Sequence, residues 1–118
     1  MGSFGSAEAD RLERLGADSF RQGRLVRPGT WAVAFLAEWC PFCRDFAPRF
    51  ASLAGDVRIA VGDLTDEENP LWEEFGIEVI PTVILFRDGA PVLRRDGTLG
   101  EGLGPRDLAA VRAALAGA

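Results

Sequence analysis

Residues 31–43 read Trp31-Ala32-Val33-Ala34-Phe35-Leu36-Ala37-Glu38-Trp39-Cys40-Pro41-Phe42-Cys43, and this stretch decides the fold class. Its first seven residues form an uninterrupted apolar run of strand length, the pattern of a central strand covered on both faces. From Cys40 onward the period changes: Phe42, Phe46, Phe50 and Leu53 recur at helical spacing through about Ala54. Two cysteines three residues apart therefore stand at the junction of a buried strand and a helix start. Unpaired backbone N–H groups and the positive end of the helix dipole favour a thiolate at Cys40, in the cap position. Cys43, one turn deeper, stays a thiol until it attacks. The asymmetry makes Cys40 the expected nucleophile and Cys43 the resolving thiol.

Short apolar runs alternate with amphipathic stretches outward from this segment, which is the α/β pattern. Asp18 is placed to cap a short helix over Ser19 to about Leu25, ended by Arg27-Pro28-Gly29. Val57 to Val61 reads as the next strand. Asn69-Pro70 opens a short helix to Phe75, stopped by Gly76. Thr82 to Phe86 reads as a second buried strand, and Asp88-Gly89 as the turn of a hairpin to Val92–Arg95. Gly104-Pro105 starts a last helix with Leu108, Val111 and Leu115 on one face. Pro48 lies inside the helix that carries the cysteines and predicts a kink.

The 118 residues, 47% apolar and 26% charged, suit one compact domain. Residues 1–10 are expected as a flexible N-terminal segment and 11–118 as a single domain. All 13 basic residues are arginine, and histidine and tyrosine are absent as well as lysine. Serine–histidine triads, histidine-ligated metals and Schiff-base lysines are thereby excluded. A net charge of -5 argues against nucleic acid and acidic membrane surfaces as partners. No stretch approaches the roughly 20 apolar residues of a membrane-spanning helix. The amino terminus lacks the basic and apolar regions of a signal peptide, so a cytoplasmic location is expected, with export open if residues 1–6 replace a removed leader.

Ala37 to Cys43 resembles the active-site segment of the thioredoxin family. Phe75-Gly76-Ile77-Glu78-Val79-Ile80-Pro81-Thr82 is similar to the family's segment around its cis-proline, and Phe86-Arg87-Asp88-Gly89 to the turn that follows. Pro48 falls at the family's helix-kink position and Gly97 at the glycine beside its substrate groove. The resemblance covers about four-fifths of the chain and is far more specific than C-x-x-C alone. It implies an α/β thioredoxin fold, a central mixed five-strand sheet flanked by four helices, with Pro81 in cis beside the two sulfurs. It also implies a groove walled by Trp39, Pro41 and Phe42, by Val79, Ile80 and Pro81, and by Gly97 and Thr98.

The implied activity is thiol–disulfide exchange with disulfide-containing protein substrates by a monomer without bound cofactor or metal. Recycling would fall to a thioredoxin-reductase-like or glutathione system. Three departures bear on mechanism. Ala34 and Val61 replace the family's buried aspartate and lysine, and Pro41-Phe42 replaces Gly-Pro between the cysteines. Glu38 is the nearest carboxylate in sequence and the candidate proton carrier; Arg44 is a candidate partner for the Cys40 thiolate. A proline after the nucleophile is similar to glutaredoxins and periplasmic disulfide oxidases, so the direction of electron flow stays open. Reduction of protein disulfides is the favoured expectation. The alternatives are a thiol oxidase or glutathione-coupled transferase, a redox-inactive binding module, and a zinc or cluster site shared between two chains. Gly97, Gly100, Gly102 and Gly104 match no phosphate-binding fingerprint and read as a loop. The acidic residues Asp66, Glu67, Glu68, Glu73 and Glu74 read as a solvated face that repels acidic partners.

Overall fold

The computed structural model describes residues 3–55 and 57–116. The chain order is α1 (Ala7–Asp10), β1 (Arg14–Leu15), a 3-10 turn (Ala17–Ser19), β2 (Phe20–Arg21), β3 (Arg24–Leu25), β4 (Thr30–Leu36) and α2 (Pro41–Ala51). Then follow β5 (Arg58–Asp63), α3 (Leu71–Glu74), β6 (Thr82–Arg87), β7 (Ala90–Asp96) and α4 (Pro105–Ala116). Five strands make one mixed sheet in the order β1-β5-β4-β6-β7. β5 runs parallel to β1 and to β4, whereas β6 is antiparallel to both β4 and β7.

The apolar run occupies the middle of that sheet. Residues 32–37 are fully buried, as strands covered by helices on both faces must be. Phe20, Phe35, Phe75 and Phe86 form one aromatic cluster with ring centroids 5.2 to 5.9 Å apart. On α2, Cys43, Phe46, Ala47, Phe50 and Ala51 are buried at a spacing of three and four, while Pro48 stays on the exposed side. Each buried phenylalanine contributes roughly 1.5–3 kcal/mol. The core therefore fixes α2 against the sheet and, through it, the position of both sulfurs.

Two expectations are corrected. Ser19 to Leu25 is not a helix: Phe20↔Leu25 and Arg21↔Arg24 pair as a two-stranded antiparallel hairpin. Gln22 (φ 52°) and Gly23 (φ 76°) both turn through the left-handed region, the conformation of a tight hairpin turn. The hairpin lets Phe20 and Leu25 bury together, and Leu25 N–H donates to the carbonyl of Gly89 at 3.0 Å. The four helices flanking the sheet thus begin with α1 instead.

Nor are residues 3–10 a loose segment. Phe4 is completely buried under the Arg14 guanidinium, 4.2 Å from its ring centroid. Asp10 accepts from Phe4 N–H at 2.9 Å and from the Ser3 hydroxyl at 2.6 Å. Arg44 of α2 reaches back to the Ser3 carbonyl at 3.1 Å. The apolar ring and these polar ties seat the segment on α2.

Candidate functional site

Cys40 is the N-cap of α2, in extended backbone conformation, followed by Pro41 at the first helical position. Proline has no N–H to satisfy there and its fixed φ suits the first turn. Cys43 N–H donates to Cys40 Sγ at 3.2 Å, so the cap sulfur satisfies one of the helix's unpaired first-turn amides. Cys40 Sγ also lies 3.8 Å from the Ile80 carbonyl oxygen. Both cysteines are free thiols; Cys40 retains 5% exposure and Cys43 none. Burial pushes the Cys43 thiol well up from its ordinary range, and the adjacent Cys40 sulfur adds to the rise.

Among the described residues no carboxylate or cation is buried in the core. Ala34 and Val61 are fully buried and face each other across β4 and β5. The two positions where a buried charge pair is expected are thus both apolar, and no single buried ion is left without its partner. No buried side-chain nitrogen or oxygen lacks a hydrogen bond among the described residues.

The Ile80–Pro81 peptide bond is cis, as the resemblance implies. Beside Cys40 opens a groove of about 280 Å³ lined by Trp39, Cys40, Pro41, Phe42, Trp72, Glu78, Val79, Ile80, Thr98, Leu99 and Gly100. Six of the eight expected groove residues meet there together with Cys40. Pro81 and Gly97 do not line it: Pro81 is buried, and a Cβ on Gly97 would fall 2.7 Å from the Pro81 carbonyl oxygen. Gly97 therefore lets two backbone segments close together behind the groove. Phe42 is 41% exposed and leans on Gly102, where an added Cβ would sit 3.0 Å from the phenylalanine Cβ.

Glu38 stays outside this groove. Its carboxylate binds the Arg14 guanidinium at 2.5 Å, and the same nitrogen reaches Asp63 at 3.0 Å. Its backbone N–H donates to the Thr65 hydroxyl, which donates in turn to Asp63 at 2.6 Å. This network pins the loop ahead of the cysteines and leaves Glu38 tied to Arg14 instead of facing Cys43. Arg44 is likewise taken up by the amino-terminal segment.

Trp72, Glu78, Leu99 and Gly100 line the groove without having been expected there from the sequence, and Trp72 is the largest of them. Its indole stacks on that of Trp39 with centroids 6.5 Å apart and planes within 10°. Trp39 Nε1 donates to the Thr65 carbonyl at 2.9 Å and Trp72 Nε1 to that of Asp66 at 3.2 Å. A tryptophan after the Asn69-Pro70 helix start was the available signal, but only the chain path around Thr65 and Asp66 brings it to Trp39.

Residues 13–104 match the sequence model of the family described as Thioredoxin. This chain belongs to the thioredoxin family. It is 34% identical to thioredoxin of Rhodospirillum rubrum over 92 residues, spanning 75% of this chain and 88% of that one. It is 44% identical over 87 residues, 67% of this chain, to Sulfhydryl oxidase 1 of Gallus gallus, of which the match covers 12%. The chain thus spans only a small part of the sulfhydryl oxidases it matches. Among solved structures, mitochondrial thioredoxin 3 from Saccharomyces cerevisiae aligns with TM-score 0.70 at 23% identity, over 89% of this chain and 96% of that one. Chlamydomonas reinhardtii thioredoxin f2 aligns with TM-score 0.68 at 24% identity, over 85% and 92%. Family, motif and relatives together support a thiol–disulfide oxidoreductase. Among the described residues no cluster of histidine, cysteine and carboxylate suits a metal ion, and no helix is long and apolar enough to cross a membrane.

Proposed function

We propose that this domain reduces disulfides of protein substrates through the Cys40/Cys43 pair. The observation that carries the reading is the setting of Cys40 Sγ, held by the Cys43 amide at the mouth of an apolar groove beside the Ile80–Pro81 loop. The Cys40 thiolate attacks one substrate sulfur, a Cys40–substrate disulfide forms, and the old disulfide breaks as its other sulfur leaves and takes up a proton. Cys43 then gives its proton to water and attacks Cys40 Sγ, releasing the second substrate thiol. The pair ends as a disulfide and the substrate has gained two electrons and two protons. A dithiol or glutathione system returns the pair to the reduced state.

The match to sulfhydryl oxidases favours a second reading, in which the same pair runs in reverse and oxidises substrate thiols. The test is the reduction potential of the pair, equilibrated against dithiol and glutathione buffers and read by thiol alkylation. A value near about -270 mV supports reduction, and one between about -200 and -120 mV supports oxidation or glutathione-coupled transfer. Absence of any reversible two-electron transition refutes both and leaves a binding module.

A further inference from the structure

Trp39 and Trp72 together wall the groove beside Cys40. Their indoles lie parallel, and each N–H is spent on a backbone carbonyl, so their faces carry no unmet polar demand. Trp39 is 51% exposed. Apart from Cys40, Glu78 is the one ionisable side chain lining the same groove. Among the described residues no ion pair or hydrogen bond engages the Glu78 carboxylate. Arg94 shares the adjoining hollow with Glu78 but is committed to Asp96 and to the carbonyls of Phe75 and Gly76. Exposed Asp66, Glu67 and Glu68 lie on the side of the loop that holds Trp72, and the chain carries a net charge of -5.

Flat aromatic faces beside an uncommitted carboxylate match one side-chain chemistry best: a long aliphatic stem ending in a cation. Such a stem packs along apolar surface, the cation is attracted to indole faces, and a guanidinium fits a carboxylate geometrically. An acidic side chain in the same place would meet only repulsion. We propose, resting on the disulfide-exchange reading above, that the groove selects extended substrate segments with an arginine or lysine close to the reacting half-cystine. The stem lies on the Trp39–Trp72 pair and the charge meets Glu78.

The test uses short peptides with one cysteine activated as a 2-thiopyridyl mixed disulfide and one neighbouring residue varied among arginine, norleucine and glutamate. Release of pyridine-2-thione by the reduced protein reports the second-order rate, and a small neutral thiopyridyl disulfide serves as reference. The arginine peptide is expected to react about two- to fivefold faster than the norleucine peptide and about tenfold faster than the glutamate peptide. The preference should shrink as salt rises. Glu78→Gln should bring the arginine-to-norleucine ratio close to one, and Glu78→Arg should invert the arginine–glutamate order; the exposed position keeps both variants foldable. Equal rates for all three peptides, or a preference unmoved in Glu78→Gln, overturn the inference while reaction with the small disulfide leaves disulfide exchange standing. Failure of the wild-type protein to react with the small disulfide overturns the underlying reading and this one with it.

Discussion

Ala34 of β4 and Val61 of β5 are register partners, both fully buried. A charge pair deleted as a pair leaves an apolar cross-strand contact at little cost, whereas either half alone would be an uncompensated buried ion. Neither residue can take up the proton of the buried Cys43 thiol, whose raised pKa comes from burial and from the adjacent Cys40 sulfur.

Ala34→Asp should speed the second step, measured as decay of a preformed Cys40 mixed disulfide, by several-fold. The same substitution should destabilise the fold by about 3–5 kcal/mol in chemical denaturation, because Val61 offers the new carboxylate nothing. Adding Val61→Lys should recover part of that loss. An unchanged or slower decay would show that a carboxylate at this position does not assist the resolving thiol.

Removing the resolving thiol should separate the two roles. Cys43→Ser is expected to accumulate stable mixed disulfides with substrate, visible by mass spectrometry, and Cys40→Ser to accumulate none. The reverse pattern would assign the nucleophile to Cys43, against its complete burial.

The raised thiol of Cys43 has a signed effect on stability. The folded state keeps this proton above the ordinary thiol value of 9.0, where the unfolded chain has begun to lose it. The stabilisation is full below about pH 9 and is lost progressively above it. Reduced protein should therefore lose denaturation free energy more steeply between pH 8.5 and 11 than Cys43→Ala, with a limiting extra slope of about 1.4 kcal/mol per pH unit. Parallel curves would mean that the buried thiol titrates normally.

Phe4→Ala should cost about 3–5 kcal/mol, the range for emptying a buried phenylalanine site, although it lies far from the cysteines in sequence. Thermal or denaturant unfolding measures it directly. A loss below about 0.5 kcal/mol would return the amino-terminal segment to the status of a loose tail.

Gly97→Ala places a methyl group 2.7 Å from the Pro81 carbonyl oxygen, so one backbone segment must shift. The expected result is a loss of about 1–3 kcal/mol together with slower mixed-disulfide formation, since the displaced segment adjoins Ile80 beside Cys40. Wild-type rates in a destabilised variant would confine the role of Gly97 to packing.

What could be read in advance was whatever local pattern encodes. The apolar run into β4, the Cys40-Pro41 helix start and the Asp88-Gly89 hairpin each carry their signal within a few residues. The Phe20–Leu25 hairpin did not, because two-residue strands show no alternation and Gln22, unlike glycine, does not advertise a left-handed backbone. Phe4 sits among small and polar residues, and its burial depends on Arg14 and on α2. Groove residues within the cysteine motif were legible; Trp72, Glu78 as groove lining and Leu99 were not, since tertiary packing alone assembles them. Glu38 illustrates the opposite error. Proximity in sequence pointed it at the sulfurs, and Arg14, which precedes it by 24 residues, holds it in an ion pair instead.

The sheet that carries this site has two open margins, and each is ill suited to accepting a further strand. β1 is only two residues long. At the other margin β7 contains Pro91, which has no N–H to offer, and the charged residues Arg94, Arg95 and Asp96, opposite a register break between Leu85 and Phe86. Short, charged and irregular edges discourage intermolecular β-pairing. Neither margin therefore offers a ready template for a strand of another chain, which guards the domain against edge-to-edge aggregation.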